Sequence, residues 1–361
     1  MKTDRARLIL EDGSVHEGLT FGSTGEKLLE IVFNTSPAGY QEILSDPSYS
    51  HQAVVMTYPL IGNTGICRED FESETPHLGA LIMRHYSPFP SNFRSIMSLE
   101  EYFSKMDITG FYGADTREIT RRIRDNGSGT AMITGTERSL ESALSLIKSH
   151  SQPNNLVSLA STPCRREYLV QNERHHVVLI DCGVKKSIIN SLTDRNCRVT
   201  QVRFDTSAED ILSLYPDGVV ISNGPGDPKD AGETIRTARE LSGKLPILGI
   251  CLGHQILALA AGARTYRLKF GHRGGNHPVR NLRTGRIEIT SQNHSYAVDA
   301  SSLENTGMAL THVNLLDNTA EGLEDRKNAI MSLQYHPESN PGPEDSCHVF
   351  DEFIELMEDF R

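Results

Sequence analysis

The sequence predicts an α/β protein of two domains, and three observations carry that prediction. The chain has 361 residues, more than the roughly 100–200 that one typical domain holds. Its second half alternates short Val, Ile and Leu runs with helical stretches, the pattern of a mostly parallel sheet covered by helices on both faces. Between the halves lies "SHSQPNNLVSLASTPCRRE", polar, with two prolines and no sustained period. These features divide the chain into a smaller mixed α/β N-terminal domain over residues 1–152, a linker over 153–172 and a C-terminal α/β domain over 173–361.

In the N-terminal part, "ARLILEDGSVHEGLTFG" reads as strand, Asp-Gly turn, strand. "GADTREITRRIRDNGSG" reads as a helix capped by Asp115 or Thr116 and stopped by Gly-Ser-Gly. From His175 onward the order is strand "HHVVLIDCG", helix "KKSIINSLT", then strands "CRVTQVRF" and "DGVVISNGPGDP", then strand and helix within "PILGICLGHQILALAAGA". "RIEITSQNHSYAV" and "NAIMSLQYHPES" add strands. "CHVFDEFIELMEDF" closes the chain as an amphipathic helix with Val349, Phe350, Phe353, Ile354 and Met357 on one face.

Composition narrows the function classes. Hydrophobic residues make up 37% and charged residues 23%, with no tract of like charge, as in an ordinary globular protein. A net charge of −11 argues against a nucleic-acid surface. The basic cluster Arg117, Arg121, Arg122 and Arg124 reads as a solvated helix face. "MKTDRARLILEDGS" lacks the apolar core of a secretory signal, and no run approaches the ~18 apolar residues of a membrane span, so a cytoplasmic protein is expected. Six cysteines without CxxC spacing are expected as free thiols.

One of the six stands apart. Cys251, in "GICLGHQ", falls between the strand 245–250 and the helix 253–261. Gly-x-Cys-x-Gly has the logic of a nucleophile elbow, the flanking glycines allowing a tight turn that presents the sulfur at the sheet's C-terminal edge. The helix N-terminus there favours thiolate over thiol, and the Leu252 N–H is placed as an oxyanion donor. A thiolate nucleophile needs a base with its own orienting group. His336 and Glu338 in "LQYHPES" offer both, since residues i and i+2 of an extended segment share a side. His254, three residues past the cysteine, is the rival base. "SNGPGDP", after the strand "DGVVI", is a tight turn at the same edge whose amides suit an oxyanion hole.

"SNGPGDP", "GICLGHQ" and "HPE", in that order, resemble the class I, triad-type, glutamine amidotransferase domain. That family uses Cys, His and Glu to release ammonia from glutamine, which implies Cys251, His336 and Glu338 as the catalytic set. "FNTSPAGYQEILSDPSYSHQ", "TYPLIGNTG", "DTREITRRIR", "FGHRGGNHPV" and "QNHSYAV" extend the resemblance, over nearly the whole length, to the small-subunit family of carbamoyl phosphate synthetase. The resemblance implies glutamine contacts at Ser48, Gly224, Gly226, Leu252, Gln255, Asn293, Ser295 and Tyr296. Many members read Asn-His-Gly-Phe where this chain reads Asn293-His294-Ser295-Tyr296. Serine is small and tyrosine keeps the ring, so binding is expected to survive.

The resemblance further implies a separate large subunit that binds ATP, Mg and bicarbonate and makes carbamoyl phosphate for arginine and pyrimidine synthesis. No cofactor is expected in this chain, which has no GxxxxGK[ST] loop. No metal is expected either, because His272 and His277 in "FGHRGGNH" have no accompanying carboxylate or thiolate motif. The rival readings are a glutaminase serving another synthase and a non-catalytic regulatory subunit. Retention of all three triad residues speaks against the second.

Overall fold

The computed structural model describes residues 4–360, and the chain divides between Pro153 and Asn154 into two compact units. In the first, β1 (Asp4–Leu10) and β2 (Val15–Gly22) form the expected hairpin, in register from Asp4↔Thr20 to Ile9↔Val15. Next come β3 (Lys27–Asn34), α1 (Tyr40–Ser45), β4 (Gln52–Met56), β5 (Leu60–Ile61), β6 (Ala80–Met83) and β7 (His85–Tyr86). The unit ends with α2 (Leu99–Met106), β8 (Thr109–Tyr112), α3 (Thr116–Asn126), β9 (Thr130–Gly135) and α4 (Leu140–Ser149). Seven strands close into a barrel in the order β1-β2-β8-β6-β4-β3-β9, sealed by β9 pairing back onto β1. Closure removes the sheet edges. It depends on pairings more than a hundred residues apart, which a local reading of turns and periods does not reach.

Asp115 is the N-cap of α3, accepting from the N–H groups of Arg117 and Glu118. Arg117, Arg121 and Arg124 on this helix are exposed, and Arg122 pairs with Glu118 and Asp12.

The second unit begins earlier than the sequence indicates. Residues 153–172, expected as a linker, carry α5 (Leu156–Ala160) and β10 (Arg166–Tyr168), followed by β11 (His175–Asp181), α6 (Lys186–Thr193) and β12 (Cys197–Arg203). β10 pairs antiparallel with β12, Thr162 N–H donates to Asp181, and Ser161 Oγ accepts from Phe204 N–H. The polar residues that look like linker composition are anchors to the sheet.

The alternation then continues through α7 (Ala208–Ser213), β13 (Gly218–Ile221), α8 (Gly232–Leu241), β14 (Ile247–Ile250) and α9 (Leu252–Ala260). After it come β15 (Thr265–Asn281), β16 (Ile287–Val298), β17 (Ala309–Asn314), β18 (Ala320–Asp325), β19 (Ile330–Leu333) and α10 (Val349–Asp359). The ten-stranded sheet runs β10-β12-β11-β13-β14-β19-β18-β17-β15-β16. Its β12-β11-β13-β14-β19 block is parallel, and the β18-β17-β15-β16 arm is antiparallel.

Alternation along the parallel strands builds a core on each face. Val178, Ile180, Val219 and Ile221 pack with α7, α8 and α9. Val177, Leu179, Val220 and Leu248 pack with α6 and with Val349, Phe350, Phe353 and Met357 of α10. Each such fully buried side chain contributes about 1.5–3 kcal/mol. This two-sided packing holds the C-terminal ends of β11, β13, β14 and β19 at one edge, where parallel sheets carry their sites. Among the described residues no helix is long and apolar enough to cross a membrane.

Candidate active site

Cys251 sits at the junction of β14 and α9 with φ 54° and ψ −100°, a strained backbone for a residue with a Cβ. The sequence reading gives the turn to the flanking glycines, but the cysteine itself takes the positive φ. The glycines serve close approach instead. A Cβ on Gly253 would lie 2.1 Å from Ile221 O, and one on Gly249 would lie 2.5 Å from Leu257 Cδ1. Gly253 N–H donates to Ser222 O and Cys251 N–H to Leu333 O. The elbow is thereby pinned to the ends of both neighbouring strands.

The sulfur is 2% exposed. It lies 3.6 Å from Asn293 O and accepts from Gln334 Nε2 at 3.8 Å. Leu252 N–H, the first of α9, has no acceptor among the described residues, as the first turn of a helix requires. The "SNGPGDP" loop is fastened beside it. Ser222 Oγ accepts from Cys182 N–H, Asn223 Oδ1 accepts from Lys185 N–H, and a Cβ on Gly224 would meet Cys182 O at 2.2 Å and Leu252 Cδ2 at 2.9 Å. Gly226, with φ 91°, turns the loop outward.

His336 follows β19, its N–H bonded to Ser291 O. Its Nδ1 is 2.6 Å from Glu338 Oε1, which orients the ring and leaves Nε2 on the side away from that carboxylate. Burial lowers its proton affinity, but the charges of Glu338 and Cys251 outweigh that and raise its pKa to about 10. Nε2 makes no hydrogen bond of normal geometry, although Cys251 is near enough to influence it. Such contacts tighten when substrate is bound. Glu338 is itself held. Lys185 Nζ donates to Glu338 Oε1 at 2.9 Å and to Ser339 O at 2.8 Å. Burial would raise Glu338, yet Lys185 first and His336 second bring it down to about 2.

The rival base does not compete. His254 is fully buried with Nδ1 3.0 Å from Ser332 Oγ, and burial lowers its pKa to about 3. It braces the helix as a neutral ring.

The remaining sequence-selected residues divide between the two units. Gln255 Nε2 donates to Tyr296 O and to Gln334 Oε1, tying α9 to β16. Asn293 reaches the sulfur through its carbonyl. Ser295 Oγ accepts from the buried Arg273 Nη2 at 2.5 Å, and its φ is not positive, so the position makes no demand for glycine. Ser48 belongs to the first unit, in the short 3-10 turn Pro47–Tyr49, with its N–H donating to Asp46.

His272, expected to lack an accompanying carboxylate, has two beside it. Asp317 Oδ2 lies 2.8 Å and Glu321 Oε1 3.7 Å from the two ring nitrogens of His272. These carboxylates come from 45 and 49 residues downstream, where no local motif announces them.

Two family models match the chain: "Carbamoyl-phosphate synthase small chain, CPSase domain" over residues 8–133 and "Glutamine amidotransferase class-I" over residues 178–356. The carbamoyl phosphate synthase small chain of Staphylococcus epidermidis is 48% identical over 358 residues, 99% of this chain and 97% of that protein. The chain belongs to the carbamoyl phosphate synthase small-chain family. The small chain of Fusobacterium nucleatum is 47% identical, covering 98% of each chain. The pyrimidine-specific small chain of Bacillus subtilis is also 47% identical, over 98% of this chain and 96% of that one. Both domains of the small-chain family are therefore accounted for, with the elbow, the "SNGPGDP" loop and the His336–Glu338 pair inside the amidotransferase match.

Sequence reasoning missed Lys185 and Gln334, which complete the surroundings of Glu338 and Cys251 in this small chain. Lys185 had a usable signal. It follows the C-terminal end of a parallel strand, the edge where site residues gather.

Proposed function

We propose that this chain is the glutamine-hydrolysing subunit of a carbamoyl phosphate synthase, with Cys251 as nucleophile, His336 as acid and base, and Glu338 as the group that orients His336. The observation that carries this reading is the buried line from the strained Cys251 to the His336–Glu338 pair, with Glu338 secured by Lys185. Cys251 Sγ attacks the glutamine carboxamide carbon, and the carbonyl electrons move to oxygen beside Leu252 N–H and the Gly224–Gly226 loop. Collapse of this intermediate breaks the C–N bond, and His336 gives its Nε2 proton to the departing ammonia. Water then gives a proton to Nε2 and attacks the thioester, releasing glutamate and the sulfur.

Gln255, Asn293, Ser295 and Tyr296 would hold the glutamine on the second unit. Near neutral pH free ammonia becomes mostly ammonium, which is not a nucleophile, so the product must pass directly to a partner. That partner is a large subunit holding ATP, Mg and bicarbonate, working with this chain in the cytoplasm to supply carbamoyl phosphate for arginine and pyrimidine synthesis.

The test is to purify the chain with and without a candidate large subunit, supply glutamine, and follow glutamate and carbamoyl phosphate, with Cys251→Ser as control. Cys251-dependent glutamate release that couples to carbamoyl phosphate only with the partner supports the reading. Release without carbamoyl phosphate in a competent complex would mean another acceptor. No Cys251-dependent release in the complex would favour a regulatory subunit.

A further inference from the structure

Behind the strand that carries Asn293 and Ser295, β15, β16 and β18 bring His272, His294 and Glu321 together, all three buried. One nitrogen from each ring and one carboxylate oxygen lie within 4.8 Å of one another. Zinc–nitrogen and zinc–oxygen bonds of 2.0–2.2 Å at tetrahedral angles put ligand atoms roughly 3.4 Å apart, so a small inward movement closes the set.

Each ligand is already held from outside. His272 Nε2 is 2.8 Å from Asp317 Oδ2, while its Nδ1 is buried, makes no hydrogen bond and faces Glu321 Oε1 at 3.7 Å. That distance is long for a hydrogen bond and short enough for two ligands of one ion. A carboxylate behind the outer nitrogen of an imidazole is the usual support of a metal-bound histidine. His294 Nδ1 lies 2.7 Å from Tyr296 O, a carbonyl that can only accept, so Nδ1 carries the proton and Nε2 presents a lone pair. That lone pair faces Gln292 Oε1 at 3.1 Å, an acceptor opposite an acceptor, because Gln292 Nε2 is engaged with Thr290 and Glu321 Oε2. Flipping the amide moves the conflict to an ionised Glu321. A cation removes it, and so does a proton on Glu321.

We propose that His272, His294 and Glu321 form a binding site for a transition-metal dication of the zinc class, fastening the β15–β16 pair to β18. Two imidazoles and a carboxylate select zinc, cobalt or nickel over magnesium or calcium. Asp317 is 39% exposed at its side chain, so the site lies one residue below the surface.

The experiment uses the full chain stripped with a chelator and titrated with Co2+, read by visible absorption and by equilibrium metal content. Zn2+ is then competed against a chromophoric chelator. One equivalent per chain is expected, with no thiolate-to-cobalt charge-transfer band. Glu321→Gln, and independently Asp317→Asn, should weaken binding by about tenfold or more, while Cys251→Ser leaves it unchanged. Zn2+ should raise the unfolding temperature of the parent chain and not that of Glu321→Gln. If Glu321→Gln does not fold, Asp317→Asn decides alone, its carboxylate being partly exposed. Substoichiometric binding, a thiolate spectrum, or equal affinity in the variants would overturn the proposal; the first of these would leave a proton on Glu321 as the relief of the conflict.

Discussion

A single methyl group at position 253 tests whether close approach, rather than turn geometry, places Cys251. In Gly253→Ala the new Cβ starts 2.1 Å from Ile221 O and 2.8 Å from its carbonyl carbon. Contacts below 3.0 Å essentially do not occur, so the elbow and the end of β13 must part by about 0.9 Å. Neither side is free to give. Ile221 ends a central parallel strand, and Gly253 N–H is bonded to Ser222 O. The displacement therefore falls on the first turn of α9 and on Cys251 beside it. A misplacement of about 1 Å typically costs on the order of 10²-fold in rate, and overpacking costs about 1–3 kcal/mol of stability. The assay is glutamate release at saturating glutamine in the complex, with thermal unfolding of the same preparations. A Gly253→Ala protein with kcat within about threefold of the parent and an unchanged Tm would refute the reasoning.

Lys185→Met should cost roughly 3–5 kcal/mol in denaturant unfolding, because it strands the buried Glu338 carboxylate; an unchanged midpoint would show that His336 alone satisfies it. His336, raised from 6.5 to about 10, adds stability that is complete below pH 6.5 and lost as pH rises through 10. Glu338→Gln should flatten that alkaline loss in stability measured against pH, and an identical profile would contradict the assignment. His254, lowered from 6.5 to about 3, has the opposite sign: the unfolded chain binds its proton first, so stability falls as pH drops from 6.5 towards 3. His254→Gln should lose that part of the acid dependence, as acid-unfolding midpoints would report.

Legibility in the sequence followed the range of the interactions. The β1–β2 hairpin, the Asp115 cap and the strand–Cys251–helix junction are set by neighbours a few residues apart, and each could be read directly. The barrel closure, the anchoring of residues 154–172 and the Lys185–Glu338 pair join distant segments. Their residues look ordinary where they stand. Lys185 sits in "GVKKS" beside a second lysine, and only the fold shows which of the two turns inward to a carboxylate 153 positions away. The glycines around Cys251 were visible too, but their purpose was not. It depends on Ile221 and Leu257, which the sequence does not place next to them.

The depth of Cys251 has a practical consequence for thiol chemistry on this protein. Cys67, Cys182 and Cys197 are buried as well, Cys347 is partly covered, and Cys164 is exposed. A bulky electrophile therefore spends its first equivalent on Cys164, far along the chain from the elbow, and labelling runs ahead of inactivation. A substrate-shaped reagent would reverse that order, and the lag between the two curves then becomes a gauge of how often the buried Cys251 becomes accessible.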